Sequence, residues 1–511
     1  MNPRSQGLSK AKSPVTPRKS KASIPLHMTQ KMVLIVGFGM IFLASSAVFV
    51  IVTDTMPHSR VFHTVQSLDA KVQDAATGIK NDDSVLAAEQ PRGAKMLQQF
   101  ALSISHYAQQ TNIPRGIVLP LFDDIAYLGM AMLLELRAFD EDVPIEIPHC
   151  GDDLAPELAS RLEHMDLLVR VYDVCAQAAA ATSVFNASQR LFCERAAQCE
   201  RQLRGSPTKV LAVVFSRFEQ VLLLDANTLF FQNPMALWDH DKYTRTGTLF
   251  FHDRVSDDRA FLAKRVPGAF TVADDGGGDQ QFSELHMYLS KFDASPFRAL
   301  AAITRDAATT ANPVPIKLRF APSDFLVSSH TWNLRAGHQL DSSLLLWNKN
   351  RQPRATAILA SFVAQNGVAL PPSDGGNELF FLACELAETQ YAFSDFGASA
   401  LGTDVRDDGE AVDSVLCGGR LHYFPSSRSG GNEAPSLLFF NSDELLTLDV
   451  ATAKIYRSEA RAAAEYSGSL SARGLPQQCV LGIRAVRLST GEKQVIARRQ
   501  QLHASVAVQG Y

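Results

Sequence analysis

Residues 210–227 read Val210-Leu-Ala-Val-Val-Phe215, then Ser216-Arg-Phe-Glu219, then Val221-Leu-Leu-Leu-Asp225-Ala226-Asn227 after one glutamine. The second apolar run has strand length and stops abruptly at Asp-Ala-Asn. A run that is apolar at every position suits a strand covered on both faces, as in the sheets of α/β proteins. Ligands of such sheets bind beyond the carboxyl ends of the strands. Two oxygen-bearing side chains at i and i+2 can meet one hard divalent cation if the chain bends there, leaving places for phosphate oxygens. Asp and Asn after a buried strand are also ordinary turn formers, so the segment alone admits both readings.

The flanking chain points to the same class. Gly116-Ile-Val-Leu-Pro120 reads as a strand, Phe122 to Phe139 as a helix of period 3.6, and Val143-Pro-Ile-Glu-Ile147 as a second strand. Leu154 to Met165 reads as a short helix and Leu167 to Tyr172 as a third strand. Alternation of this kind predicts a mostly parallel sheet in an α/β domain. The body is placed at 113–460, with a C-terminal extension of unknown role at 461–511. Residues 54–112 are polar and Ala-rich, with helical stretches such as Ala94 to Gln109. They read as a stem that spaces the body from a membrane.

The membrane is implied by the N-terminus. Met32 to Val52 is an uncharged apolar run, which at 1.5 Å per residue spans about 31 Å, the thickness of a bilayer core. A transmembrane anchor is therefore expected at 32–53. Before it, residues 1–31 carry seven Lys and Arg and no acid. The positive-inside rule makes them a cytoplasmic basic tail and puts the rest in a lumen, a single-pass type II arrangement. With 49 Lys and Arg and 53 Asp and Glu in all, 42 basic residues beyond the tail face all 53 acids, a net charge of −11. An acidic body argues against a nucleic-acid partner. All seven cysteines lie beyond the anchor, where disulfides form, and an odd count leaves at least one unpaired within the chain. Asn186-Ala187-Ser188 is a glycosylation sequon.

The segment Phe218-Glu-Gln-Val-Leu-Leu-Leu-Asp-Ala-Asn-Thr-Leu-Phe-Phe-Gln-Asn-Pro234 resembles the donor-binding segment of GT-A glycosyltransferases. It is most similar to the α-mannosyltransferases of the Mnn1 family (family 71-like). Thr246-Gly-Thr-Leu-Phe-Phe-His-Asp253-Arg254 is similar to that family's next strand. Gly116-Ile-Val-Leu-Pro and Val143-Pro-Ile-Glu-Ile147 match its opening strands, while Asp341-Ser-Ser-Leu-Leu-Leu-Trp-Asn-Lys349 and Gly375-Gly-Asn-Glu-Leu-Phe-Phe-Leu-Ala383 match later segments. The order of six segments is kept between 116 and 424. The family's Asp-x-Asp is Asp225-Ala226-Asn227 here, so one charge is lost at the expected metal. Gly376 stands where the family has an aspartate.

The resemblance implies an α/β fold with a GT-A-type nucleotide-sugar-binding mixed sheet flanked by helices, preceded by a single N-terminal transmembrane helix. It implies a Golgi enzyme transferring mannose from GDP-mannose, with retention, to a mannosylated glycan on a glycoprotein or glycolipid. The expected cofactor is Mn²⁺ or Mg²⁺, held by Asp225, Asn227 and His422. Lys209, Asp225 and Arg254 are expected to bind the nucleotide sugar. Asn377 and Glu378 are expected near the reacting sugar carbon, and Asp341 near the acceptor. Two other readings remain: a transferase with a UDP-sugar donor, and a catalytically impaired luminal binding protein that kept the fold.

Overall fold

The computed structural model describes residues 92–255, 261–266, 283–305, 318–364, 378–406, 414–426, 434–463 and 479–508. The expected tail, the anchor at 32–53, the stem up to residue 91 and Asn377 lie outside the described residues. No helix among the described residues is long and apolar enough to cross a membrane.

The α/β expectation holds. One six-stranded sheet contains β1 (Ile113–Val118), β2 (Ile145–His149), β3 (Val169–Asp173), β4 (Phe218–Leu224), β6 (Thr248–His252) and β7 (Leu340–Asn348), in the order β3-β2-β1-β4-β7-β6. The first four run parallel, with β1 between β2 and β4. β7 is antiparallel to both β4 and β6, so the sheet is mixed. The apolar run of β4 has its predicted cause. Val221 and Leu223 face one core and Leu222 and Leu224 the other, all fully buried. Gly116 in β1 is required by close approach, since a Cβ there would lie 2.5 Å from the Phe218 ring.

Helices α1 (Arg92–Ala108), α2 (Ala126–Phe139), α3 (Pro156–Met165) and α4 (Ser206–Phe215) flank this sheet with α5 (Pro353–Ser361) and α6 (Leu379–Leu386). The run Val210–Phe215 is the buried end of α4. A second, antiparallel sheet is built from β5 (Thr228–Phe230), β8 (Ser399–Arg406), β9 (Ser414–Tyr423), β10 (Leu437–Asn441), β11 (Tyr456–Ser458), β12 (Cys479–Ile483) and β13 (Ala485–Arg487). β5 begins one residue after Asn227 and pairs with β10. The Asp-Ala-Asn turn is therefore the point where the chain passes from the first sheet to the second.

Two boundary expectations are corrected. Helix α1 is part of the body: Phe100, Ala101 and Ile104 are buried in the main core, and α1 packs on α5. The stem reading of 54–112 missed this because those apolar residues are diluted among polar ones. The extension at 461–511 is also part of the body. Its helix α7 (Thr490–Val508) packs on α2 and β5 and buries Ile496 and Val506. Three disulfides form, Cys150–Cys175, Cys193–Cys199 and Cys417–Cys479, while Cys384 is free and buried. Asn186 lies exposed on a small hairpin.

Ile104→Ala is expected to cost about 2–5 kcal/mol in denaturant unfolding, the range for a buried aliphatic truncation. A loss below about 0.5 kcal/mol, typical of surface positions, would return α1 to the stem.

Candidate functional site

The site forms where β4 ends. The backbone N–H of Asp225 donates to the Ser343 carbonyl at 2.9 Å, and the Thr228 N–H closes a turn onto the Asp225 carbonyl at 3.1 Å. This holds the Asp225 carboxylate at the lip of a cleft, 30% exposed. Lys209, from the first turns of α4, reaches it with Nζ 2.6 Å from Oδ1 and also donates to Ser342 Oγ at 3.1 Å. The Asn227 side-chain oxygen accepts from Asn441 Nδ2 at 2.7 Å, which ties the turn to β10.

Two clefts flank the turn and share Asn227 and Asp443 on their walls. The first, of about 450 Å³, has an apolar side made by Leu121, Phe122, Ile125 and Leu128; Lys209, Asp225 and Asp443 also line it. Phe122 is exposed on this wall. The N-terminus of α4, at Ser206, opens onto the same cleft and directs the positive end of its dipole there. The second cleft, of about 370 Å³, is lined by Asp253, Arg254, His338, Arg420, Asn441 and Glu444 among others.

A charge network floors the second cleft. Arg420 Nε donates to Asp253 Oδ1 at 2.8 Å and lies 4.0 Å from Asp341. Asp253 and Asp341 hold the Arg420 guanidinium well above its usual range. Arg254 donates to the Gly418 carbonyl at 2.6 Å, and burial, reinforced by the like charge of Arg420, pulls it down to about 10. Arg254 therefore remains a cation at neutral pH.

Asp341 and His422 form a buried pair. His422 Nε2 lies 2.9 Å from Asp341 Oδ2, and the imidazole, 1% exposed, stacks on Phe439. Burial pushes the Asp341 carboxyl up, but the hydrogen bond from His422 and the charge of Arg420 outweigh it and hold it well below the usual carboxylate range. An ionised Asp341 accepts, so Nε2 carries the proton. The structure thus sets Asp225 and Asn227 on one turn, while His422 gives its Nε2 to Asp341 and lines neither cleft. Asp341 is saturated by His422 and the Ser343 N–H and does not line either cleft.

Glu378 is likewise set apart from the clefts. It is fully buried, accepts from the Gln339 N–H at 2.8 Å and pairs with His338 at 3.3 Å. Its carboxylate supports the start of β7 and makes no cap on its own helix. Its partner His338 is the member of the pair that lines the second cleft. Sequence reasoning missed His338, Arg420 and Asp443. For Arg420 a signal existed: it stands two residues before His422 on a strand, so both face the same side.

The cation implied by the family can be tested against these groups. Asp225, Asn227 and Asp443 bring hard oxygen atoms to one cleft wall. That chemistry fits Mg²⁺ or Mn²⁺, which commonly take one or two carboxylates and complete their shell with water and substrate phosphate. Among the described residues no three His, Cys, Asp or Glu gather as a metal cluster, so the protein supplies fewer ligands than a closed cage would need.

The α/β body thus carries, at the end of β4, an acidic turn between an apolar-walled cleft and a cleft lined by both arginines and acids. The chain belongs to the mannosyltransferase family described as "Mannosyltransferase putative", whose profile matches residues 114–421. It is 22% identical over 341 residues to the alpha-1,3-mannosyltransferase MNT3 of Saccharomyces cerevisiae, covering 66% of this chain and 47% of MNT3. It is 27% identical over 152 residues to the alpha-1,3-mannosyltransferase MNT2 of the same yeast, covering 30% of this chain and 26% of MNT2. The chain thus spans less than half the length of these curated relatives. The solved apo structure of the WbbM bifunctional glycosyltransferase aligns at 13% identity over 55% of this chain and 38% of that one, with a TM-score of 0.29. That likeness is too slight to bear on the site.

The depressed Asp341 predicts a pH effect. A carboxyl whose folded pKa lies below the unfolded value of about 3.9 contributes stability that is present above about pH 4 and lost as pH falls through the folded value. Asp341→Asn should lower stability at pH 7 and flatten the acid limb of the stability curve. An unchanged acid limb would show that the His422 pair does not form.

Proposed function

We propose that the protein is a GT-A-type α-mannosyltransferase that moves mannose from GDP-mannose to a mannosylated glycan on a glycoprotein or glycolipid, with retention at the anomeric carbon. Family membership supports the sugar. The observation that carries the site is Asp225 paired with Lys209 at the strand end between the two clefts. The guanine base lies in the first cleft against Leu121, Phe122, Ile125 and Leu128. The diphosphate lies across Lys209 and the N-terminus of α4. The mannose projects past Asn227 into the second cleft, where the acceptor enters.

In the reaction the bond from the sugar C1 to the diphosphate oxygen breaks, an acceptor hydroxyl oxygen bonds to C1, and its proton is released. Negative charge grows on the departing diphosphate. Lys209 stands where that charge would be met, and Arg254 lies on the sugar side. Mn²⁺ or Mg²⁺, held by Asp225 with Asn227 and Asp443, would supply further neutralisation of the same diphosphate. His338 lines the acceptor cleft, and Glu378 raises its basicity: burial lowers the imidazole's pKa, but the hydrogen bond and charge of Glu378 reverse this.

The location proposed is the Golgi membrane, by one N-terminal helix with the catalytic body luminal. The basic tail before the apolar run and the three disulfides of the body support this reading. A second reading, a luminal protein that binds sugars without transfer, draws on Asn227, whose amide oxygen is already engaged by Asn441.

The full chain in detergent is expected to transfer radiolabelled mannose from GDP-mannose to a mannoside. Lys209→Met should cut the rate by about 10²–10³, as for loss of one stabilising donor at a developing anion. GDP at 100 times its Kd should add about 2.7 kcal/mol of stability. A stabilising shift without transfer favours the binding protein, and transfer from UDP-sugars alone overturns the choice of donor.

A further inference from the structure

Helix α7 lies beyond the stretch matched by the family profile, which ends at residue 421. Yet Arg499, almost fully buried on that helix, reaches the centre of the site. Its Nη2 donates to the carbonyl of Ala226 at 2.9 Å, the residue between Asp225 and Asn227. The same nitrogen donates to the Leu128 carbonyl at 3.2 Å, and Leu128 forms part of the apolar wall of the first cleft. Nη1 meets Glu135 of α2 at 2.7 Å, and both side chains of this pair are buried. The adjacent Gln500 donates to the carbonyls of Leu445 and Leu448, at 2.5 and 2.7 Å, in and just after the short turn Glu444–Thr447 that follows Asp443.

We propose that Arg499 is a positioning residue for the donor site. It grips the backbone of the Asp225–Asn227 turn and the wall residue Leu128 with one nitrogen, and is itself aimed by Glu135. Gln500 holds the short turn beside Asp443, so two neighbouring residues of α7 tie down the 225–227 turn and the chain next to Asp443, both at the first cleft. Arg499 touches no ligand; it acts through the peptide that carries Asp225. Asp225 is tied to Ser343 and Asn227 to Asn441 and Ser442, while Arg499 holds the carbonyl of the residue between them; a guanidinium can bond a carboxylate and two carbonyls from one rigid fork. The proposal rests on the reading that this turn carries the donor diphosphate.

Two variants of the full chain separate positioning from bulk stability. Arg499→Lys keeps the charge for Glu135 but has only one nitrogen. Glu135→Leu combined with Arg499→Met removes both charges at similar volume, a replacement that buried ion pairs often tolerate. Backbone hydrogen exchange is followed over residues 225–230, where the N–H groups of Asp225 and Thr228 are hydrogen-bonded, and kcat and KM are measured with GDP-mannose. In folded protein, exchange of these amides should rise at least about tenfold, and the donor kcat/KM should fall by about ten- to a hundredfold, the scale of a small misplacement. Exchange at the wild-type rate in either folded variant overturns the proposal. Raised exchange in a chain whose wild type transfers no mannose leaves the positioning role standing and sinks the choice of reaction. Wild-type transfer with unchanged exchange and KM in the variants does the reverse.

Discussion

The hydrogen bond from the Asp225 N–H to the Ser343 carbonyl is the constraint on which the site depends. It is the last step of the antiparallel ladder between β4 and β7. β4 enters that ladder as a strand buried on both faces, so its register cannot slip without moving apolar side chains into different cores. The first residue released from the ladder is therefore held in one place. That residue is a carboxylate, and the chain turns there to begin a second sheet. Everything polar in the site is arranged around that corner: Lys209 from α4, Asn441 from β10, and Arg420 from β9.

Two layers of charge surround the corner. Lys209 and Asp225 are partly exposed and open to a ligand. Behind them, Asp341 and His422 are buried and hydrogen-bonded to each other, and the buried Glu378 faces the half-buried His338 at 3.3 Å. Buried pairs of this kind are expensive to form, and breaking one partner is costly. Their value here is geometric. Asp341 accepts from Ser343, whose carbonyl receives Asp225, so the inner pair and the outer carboxylate share one short stretch of β7.

Much of the first sheet was legible because its elements are local. The strands at 113–118, 145–149 and 169–173 and the helices between them carry their periods in contiguous residues. Asp225 and Asn227 could be singled out as candidates for the same reason, a sharp break from apolar to polar at a strand end, whereas Lys209, which sits in the first turn of α4, was singled out only through the family resemblance. The roles of Asp341, His422 and Glu378 were not legible. Each is a polar residue whose setting is decided by burial and by a partner 40 or 81 residues away, and spacing does not encode that. Helix α1 and helix α7 were misplaced as stem and extension because their apolar positions are sparse. What binds α7, such as Arg499 to Glu135, is a contact between residues 364 apart in the chain.

The central claim is that Asp225 and Lys209 meet the diphosphate of an activated sugar. The most direct measurement is a crystal structure of the protein soaked with GDP and Mn²⁺. The account predicts diphosphate oxygens within hydrogen-bonding distance of Lys209 Nζ, the metal against the Asp225 carboxylate, and the base on the Leu121–Phe122 wall. Nucleotide bound away from that cleft, with the Lys209–Asp225 pair left as it stands, would contradict it.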